Sequence, residues 1–217
     1  MNRVRFPMQA CKQRVRTCRA TGQCIGQLKA AQTIVSVLVF YHALRVPHLW
    51  HNHKRAFWFT EEAGQEGPVF GSSDYWKGLG IFFDSFDNDG QQNNPYILVM
   101  TNNGTVSYDH STDGAGQQLG GCLRDFRNRP NPVKVKIQYV KNRLSVFFNS
   151  GVVPSDDGYD LCLEKENVFL PDRGYFGLSA ATGGLAGMYG MQTSDQFFVS
   201  HVATKDNGRA ISRRCST

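Results

Sequence analysis

Three aspartates and three asparagines lie close together between two apolar runs of this sequence. The runs are Ile81-Phe82-Phe83 and Tyr96-Ile97-Leu98-Val99. The aspartates and asparagines between them are Asp84, Asp87, Asn88, Asp89, Asn93 and Asn94. Carboxylate, amide and carbonyl oxygens are the ligands of Ca²⁺, which takes about six to eight of them in irregular geometry. The composition is therefore compatible with a calcium loop and equally with a solvated turn, of which Asp, Asn and Gly are also typical.

The alternation of an extended chain divides these residues between two sites. Asp84, Phe86 and Asn88 lie on one side, where a carboxylate, a backbone carbonyl and an amide oxygen can bind one ion. The residues that could serve a second ion are Asp87, Asp89, Asn93 and Asn94. An EF-hand is excluded, because Leu98 stands where the final Glu of such a loop would be. On spacing alone, a metal loop and a solvated turn are equally compatible with the sequence.

The elements that must position this stretch are β-strands. Apolar and polar residues alternate twice in "VKVKIQYVKNRLSVFFN", residues 133–149, which predicts a hairpin with Val133, Val135, Ile137 and Tyr139 on one face. Asn102-Asn103-Gly104 within "YILVMTNNGTVSYDH" predicts another hairpin, because Asn-Gly tolerates positive φ. Further strands are predicted in "AFWFTEE", "YFGLSA" and "DQFFVSHVA". No long segment has helical spacing and caps, so we expect an all-β fold, an antiparallel two-sheet sandwich.

The charge is unevenly distributed along the 217 residues. The overall net charge is +6. Residues 1–55 hold ten Lys and Arg and no acid, whereas the rest of the chain has a net charge of −4. The basic excess therefore belongs to the N-terminal segment. It gives no reason to expect a nucleic-acid surface on the folded domain.

The N-terminal segment has one apolar run, residues 33–44, which is too short to span a bilayer as a helix. It lies too far from the start for a clear secretory signal, and Arg45 and Pro47 follow it instead of small residues. We expect a strand over Ile34 to Tyr41, behind a partly disordered basic lead. No membrane span and no signal peptide are predicted within this chain.

Five motifs taken together resemble a known family. They are "AFWFTEE", "GPVFGSSDYWKGLGIFFDSFDNDGQQNNP", "NNGTVSYDHSTDG", "CLRDFRNRPNPVKVKI" and "GYFGLSAATGGLA", in that order. They resemble the carbohydrate-recognition domain of the leguminous-type (L-type) lectins of the animal secretory pathway. Within that family, the sequence most resembles the mannose-binding cargo receptor that cycles between the endoplasmic reticulum and the intermediate compartment, or a paralogue of it. The resemblance runs from Ala56 to about Ala186, so it favours the metal loop over the plain turn.

The resemblance implies a fold and a set of site residues. The fold would be a concanavalin-like jelly roll without catalytic activity. Ca²⁺ ligands would be Asp84, the Phe86 carbonyl, Asn88 and Asp113, with a less certain second ion near Asp87, Asp89, Asn93 and Asn94. Sugar contacts would come from Asn88, His110, Gly183, Gly184 and Leu185. Partners would be high-mannose N-glycans on glycoprotein cargo, in the lumen of the endoplasmic reticulum, the intermediate compartment or the Golgi.

The resemblance also implies a disulfide between Cys122 and Cys162, which suits an oxidising lumen. The other four cysteines match nothing in the family; they are Cys11, Cys18, Cys24 and Cys215.

The extent of the resemblance predicts the domain organisation. We expect an atypical basic segment over 1–55, a lectin-like domain over 56–200 that matches best over 56–186, and a C-terminal tail over 201–217.

One departure from the family pattern affects the expected function. His53 stands about where the family has a sugar-binding Asp, and a histidine cannot supply the same two-oxygen acceptor. We therefore expect Ca²⁺ binding to survive and sugar binding to be weakened. The alternatives are a sandwich that binds no sugar, acting as an interaction module or a non-functional truncated isoform, and a glucan hydrolase. The hydrolase is disfavoured because Glu61 and Glu62 are adjacent and point to opposite faces, so they cannot flank a scissile bond.

Overall fold

The computed structural model of the chain describes a β-rich domain. It describes residues 53–85, 90, 92–127, 131, 133–152 and 158–182, and the backbone alone of residues 26–29, 32–39, 197–206 and 209–214. Of residues 53, 180 and 182, too, only the backbone is described.

Twelve strands are described, and they form two six-stranded sheets. The strands are β1 (Gly26–Lys29), β2 (Gln32–Val39), β3 (His53–Thr60), β4 (Lys77–Asp84), β5 (Tyr96–Asn103), β6 (Gly120–Leu123), β7 (Val133–Val140), β8 (Arg143–Asn149), β9 (Asp160–Lys165), β10 (Arg173–Thr182), β11 (Phe197–Asp206) and β12 (Arg209–Arg214). Sheet I has the order β1-β10-β3-β4-β5-β6, and sheet II has the order β12-β11-β2-β7-β8-β9. All neighbouring strands are antiparallel. The predicted all-β fold with antiparallel sheets is confirmed.

The hairpin predicted over residues 133–149 is present as β7 and β8. Lys141 and Asn142 form its two-residue turn, with φ of 49° and 61°. Positive φ at both central residues is the conformation of a type I′ turn, whose twist matches that of paired strands. The predicted apolar face of β7 is buried, and Lys134, Lys136 and Gln138 alternate with it at partly exposed positions.

The prediction of a hairpin at Asn102-Asn103-Gly104 is wrong. β5 pairs instead with β4 and with β6, and residues 104–119 form a loop. The Asn102 side chain stabilises this loop, because its Oδ1 accepts from Gly104 N at 3.0 Å and its Nδ2 donates to Val106 O at 2.6 Å. The Asn-Gly pair thus turns the chain away from sheet I instead of folding it back as a strand.

The predicted strand over Ile34 to Tyr41 overlaps β2, which occupies Gln32–Val39 between β11 and β7. The last two residues of that prediction, 40 and 41, lie outside the described residues. Residues 1–25 lie outside the described residues, so the predicted disorder of the lead stays a prediction. The domain boundaries also stay a prediction, although β1 and β2 lie before residue 56 and β12 lies after residue 200.

Sheet I and sheet II enclose an apolar layer, which we call the inter-sheet core. Its residues come from alternate positions of β3, β4 and β5 on one side and β7 and β8 on the other. They are Phe57, Phe59, Leu79, Ile81, Phe83, Ile97, Val99, Val133, Val135, Ile137, Tyr139, Leu144, Val146 and Phe148, joined by Phe126 and Val168. Period-two alternation produces this layer, because every second side chain of each strand faces the other sheet.

The opposite face of sheet I carries a second buried group, which we call the outer cluster. Its strand residues are Ala56, Trp58, Phe82, Leu98 and Met100, and its loop residues are Val69, Phe70, Trp76 and Tyr108. The Phe82 ring is at the centre and contacts four of the other rings. The middle of sheet I is therefore buried on both faces, which is why β4 is buried from Gly78 to Asp84.

A disulfide joins Cys122 in β6 to Cys162 in β9, with 5.3 Å between the Cα atoms. This is the pairing implied by the resemblance. Because β6 and β9 are the last strands of their sheets, the bond ties the two sheets together at one side of the sandwich. No helix among the described residues is long and apolar enough to cross a membrane.

Candidate functional site

One end of sheet I brings the predicted site segments together. The strand register pairs Lys54 of β3 with Asp84 of β4, and Asp84 in turn with Tyr96 of β5. It also pairs His53 with Thr182, the residue that precedes Gly183. The start of β3 and the ends of β4 and β10 therefore lie side by side, since neighbouring strands are antiparallel.

Two predicted calcium ligands meet at this end of the sheet on one lysine. Lys54 Nζ donates to Asp84 Oδ2 at 2.7 Å and to Asp113 Oδ1 at 2.9 Å. Asp84 ends β4 and Asp113 lies in the loop after β5, so residues far apart in sequence converge on this ammonium. The two carboxylates and the ammonium together carry a formal charge of −1.

This group of three charges is partly shielded from water. The side chains of Asp84, Asp113 and Lys54 are 5%, 13% and 18% exposed. The Phe70 ring covers the ammonium, with 5.4 Å from Lys54 Nζ to the ring centroid, which is within the range of a cation–π contact. Such shielding strengthens each electrostatic contact relative to one at an open surface.

Tyr108 forms the apolar wall beside these charges. It is 4% exposed, and among the described residues its hydroxyl has no hydrogen-bond partner. Burial raises the pKa of Tyr108 far above its ordinary value, and the charges of Asp84 and Asp113 raise it further. The phenol therefore stays neutral and adds no third negative charge to the site.

A tight loop holds Asp113 in place. Asp109 begins it by accepting hydrogen bonds from the backbone and hydroxyl of Ser111 and from the hydroxyl of Thr112. The hydroxyl contacts of Ser111 and Thr112 lower the pKa of Asp109 to about 2. Asp113 and Gly114 then both adopt positive φ, of 51° and 72°. A Cβ at Gly114 would come within 2.8 Å of the Tyr108 ring, so glycine permits the loop to pack on the outer cluster.

A serine on β10 ties the outer cluster to a second loop. Ser179 Oγ accepts from Trp58 Nε1 at 2.7 Å and donates to the Phe70 carbonyl at 2.7 Å. Phe70 lies in the loop between β3 and β4, and its ring covers Lys54. This chain of two hydrogen bonds therefore helps to position the ring above the ammonium.

The remaining predicted site residues are only partly described. His110 is exposed, and its ring packs edge-on against Tyr108 with 4.8 Å between centroids. Asn94 Nδ2 donates to Asn93 Oδ1 at 3.2 Å, and Asn94 Oδ1 is buried without a partner among the described residues. Several residues lie outside the described ranges: Phe86, Asp87, Asn88, Asp89, Gly183, Gly184 and Leu185. Their predicted roles stay predictions.

The arrangement of Lys54 bears on the expected calcium ion. Ca²⁺ binds oxygen ligands at about 2.3–2.6 Å, so an ion shared by Asp84 and Asp113 would stand where Lys54 Nζ stands. Among the described residues, no cluster of three or more His, Cys, Asp or Glu side chains offers a metal site. The described residues therefore do not fit a divalent ion at this point while Lys54 keeps its position.

Sequence reasoning missed Lys54. The signal that could have found it is the pairing of β3 with β4, which places residue 54 directly opposite Asp84 on the outer face of sheet I. A lysine opposite an aspartate on neighbouring strands is a favourable cross-strand pair. This register depends on where the two strands pair, which neither strand specifies alone.

Comparison with known sequences gives a consistent result. The legume-like lectin family model matches residues 48–201. Human ERGIC-53 is 56% identical over 131 residues, which is 60% of this chain and 26% of that protein. Canine vesicular integral-membrane protein VIP36 is 38% identical over 161 residues, which is 72% of this chain and 44% of that protein. The chain therefore spans about a quarter to less than half of the length of these relatives.

A solved structure is similar over most of this fold. It is the exoplasmic/lumenal domain of VIP36 in its Ca²⁺/Man3GlcNAc-bound form. The TM-score is 0.63 at 34% sequence identity, covering 75% of this chain and 69% of that domain. The antiparallel sandwich described above is thus the same architecture as that of the solved domain.

Proposed function

The chain belongs to the legume-like lectin family, and from this membership we propose that it is a carbohydrate-recognition domain for mannose and high-mannose glycans. Proteins of this family bind carbohydrate and are not enzymes, which removes the glucan hydrolase alternative. The similar VIP36 domain has been solved with a bound mannose-type glycan. Glycoprotein cargo of the secretory pathway is then the partner class.

The observation that supports this proposal best is the convergence at one end of sheet I. Predicted sugar-contacting positions come from the start of β3, from the loop after β5 and from the chain that follows β10. In support, His53 of β3 pairs with Thr182 of β10. His110 packs on Tyr108, whose pKa is raised by burial and in part by the charge of Asp84 at the end of β4. A glycan hydroxyl needs donors and acceptors from several directions, and a meeting point of loops at a strand end provides them.

The lumen of the secretory pathway is the compartment in this proposal. Disulfides persist in oxidising compartments, and Cys122 and Cys162 form one here. The similar VIP36 domain is described as exoplasmic or lumenal. The resemblance predicts calcium dependence, but we do not propose it for this chain, because Lys54 takes the position between Asp84 and Asp113.

A sandwich without sugar binding is the second candidate, and two residues favour it. His53 replaces an expected carboxylate, and Lys54 pairs with two carboxylates that would otherwise organise the loops. Loss of one charged hydrogen-bond partner costs about 1.5–3 kcal/mol, or roughly ten- to a hundredfold in affinity.

A glycan array with the full chain, in calcium and in chelator, tests the proposal. We expect signal on high-mannose glycans, and we expect His110→Ala to reduce it. Lys165→Ala, an exposed position on β9 of sheet II, is the matched control and should leave the signal unchanged. An array without signal on any mannose-terminated glycan, in both buffers, would instead establish the second candidate.

A further inference from the structure

We propose that Lys54 is an internal cation that takes the place of a metal ion between Asp84 and Asp113. A divalent ion would then bind these carboxylates only by displacing the lysine. This inference rests on the proposed function, because it concerns the same site.

The first argument is position. Lys54 Nζ lies 2.7 Å from one carboxylate and 2.9 Å from the other, which are ordinary lengths for charge-assisted hydrogen bonds. The ammonium therefore satisfies both carboxylates at once. Its location between them is the location that a shared ion would need.

The second argument is that the contact is built into the fold. Lys54 is fixed opposite Asp84 by the register of β3 and β4, and Asp113 is brought to it by the loop that Asp109 and Gly114 shape. Lys54 Nζ lies over the Phe70 ring, and the backbone carbonyl of Phe70 accepts a hydrogen bond from Ser179 Oγ. The lysine thus needs no rearrangement of loops to reach both partners.

The third argument is charge. Two carboxylates and one ammonium carry −1, which a low-dielectric site tolerates better than the −2 of the carboxylates alone. If Ca²⁺ joined the three, the ion and the ammonium would be two cations at the same two carboxylates, and they would repel each other. Lysine and calcium therefore exclude one another at this point. The earlier expectation that Ca²⁺ binding survives did not take Lys54 into account.

Two substitutions at Lys54 test the competition. Lys54→Met removes the charge and keeps an unbranched stem beside Phe70, whereas Lys54→Arg keeps a cation and serves as the control. Calorimetry with CaCl2 on the full chain should show binding to Lys54→Met that is about 10- to 100-fold tighter than to the wild-type chain. Adding Asp84→Asn to Lys54→Met should remove this gain, which separates the site from any other calcium ligands of the chain.

Thermal unfolding gives a second readout. The wild-type chain should unfold at the same temperature in calcium and in chelator, and so should Lys54→Arg. Lys54→Met should unfold at a lower temperature in chelator and recover in calcium, because the buried Asp84 and the partly buried Asp113 then lack a cation. If Lys54→Met does not fold even in calcium, Lys54→Gln replaces it, since its amide donates to one carboxylate.

Two results would overturn the inference: calcium binding by the wild-type chain as tight as that by Lys54→Met, or a wild-type unfolding temperature that rises markedly with calcium. The glycan array reports independently. Binding of mannose-type glycans with no effect of Lys54 on calcium affinity defeats this inference alone. The calcium effect without any glycan binding defeats the proposed function alone.

Discussion

The two faces of sheet I are both buried, but they are buried in different ways. The inter-sheet core is made almost entirely of strand residues that alternate along β3, β4, β5, β7 and β8. The outer cluster relies on loops for Val69, Phe70, Trp76 and Tyr108. The first face therefore holds the sandwich together, and the second holds the loops that carry the candidate site. Substitutions on one face should therefore not reproduce all the effects of substitutions on the other.

Two neighbouring phenylalanines of β4 offer the sharpest contrast. Phe83 is 1% exposed in the inter-sheet core, and Phe82 is 0% exposed in the outer cluster. Either change to Ala should lower the free energy of unfolding by about 3–5 kcal/mol, as measured by urea denaturation. Only Phe82→Ala should also speed hydrogen exchange at the Gly114 amide under native conditions, because Phe82 contacts Tyr108 and the loop packs on it. Equal rates of hydrogen exchange at the Gly114 amide in the two variants would contradict the separate roles of the two faces.

The disulfide belongs to the inter-sheet side of the comparison. Its sequence separation is 40 residues. Replacing Cys122 and Cys162 together by Ser should lower the free energy of unfolding by about 3–4 kcal/mol, because the unfolded chain gains conformational entropy without the cross-link. We expect the midpoint in urea to fall while native-state exchange at Gly114 stays as in the wild type. A cost below about 1 kcal/mol would mean that other contacts already fix the two edges.

Two serines with hydrogen-bonded hydroxyls, the half-buried Ser179 and the buried Ser145, test the outer cluster against sheet II. Ser179→Ala removes the partner of Trp58 Nε1 and of the Phe70 carbonyl, and should cost about 1–3 kcal/mol. Ser145→Ala is the matched control on β8, where the hydroxyl bonds Glu164 at 3.1 Å. Limited proteolysis should cut the loop between β3 and β4 faster in Ser179→Ala only. Similar cleavage of both variants would contradict the role of Ser179 in holding Phe70.

The smallest effect concerns pH and the loop that carries Asp113. The pKa of Asp109 is lowered to about 2 from 3.8 by its contacts with Ser111 and Thr112. A depressed carboxyl pKa stabilises the fold above about pH 4, and the stabilisation is lost as the pH falls towards 2. Between about pH 4 and 2, the free energy of unfolding of Asp109→Asn should therefore depend less steeply on pH than that of the wild type. The difference in slope corresponds to the uptake of at most about one proton. Urea midpoints at several pH values measure it, and parallel curves for both chains would count against the loop geometry.

The two faces also differ in how far the sequence predicts them. Alternation along residues 133–149 is visible in the sequence, so the apolar face of β7 and the β7–β8 hairpin could be predicted. Phe70 and Tyr108 lie in loops without any period, and only the folded chain brings them onto Phe82. The outer cluster has no pattern in one dimension that would reveal it.

Local signals failed where a distant contact decided the outcome. Asn103-Gly104 is a strong hairpin signal, yet β6 provides the partner of β5 and the Asn102 side chain stabilises a loop. Asp84 could be chosen from its spacing, but Lys54 could not, because its role follows from the register between two strands. The resemblance supplied Asp113 and the disulfide, which no local pattern would have paired.

The disulfide between the last strands also bears on self-association. A strand at the edge of a sheet presents unpaired N–H and C=O groups on which another chain can add a strand. β6 and β9 are short, with 4 and 6 residues, and each carries an exposed leucine, Leu123 and Leu161. Because the disulfide holds these two edge strands together, neither can separate from its sheet and pair with a strand of another molecule. Reduction should therefore favour aggregation through this side even under conditions in which the fold survives.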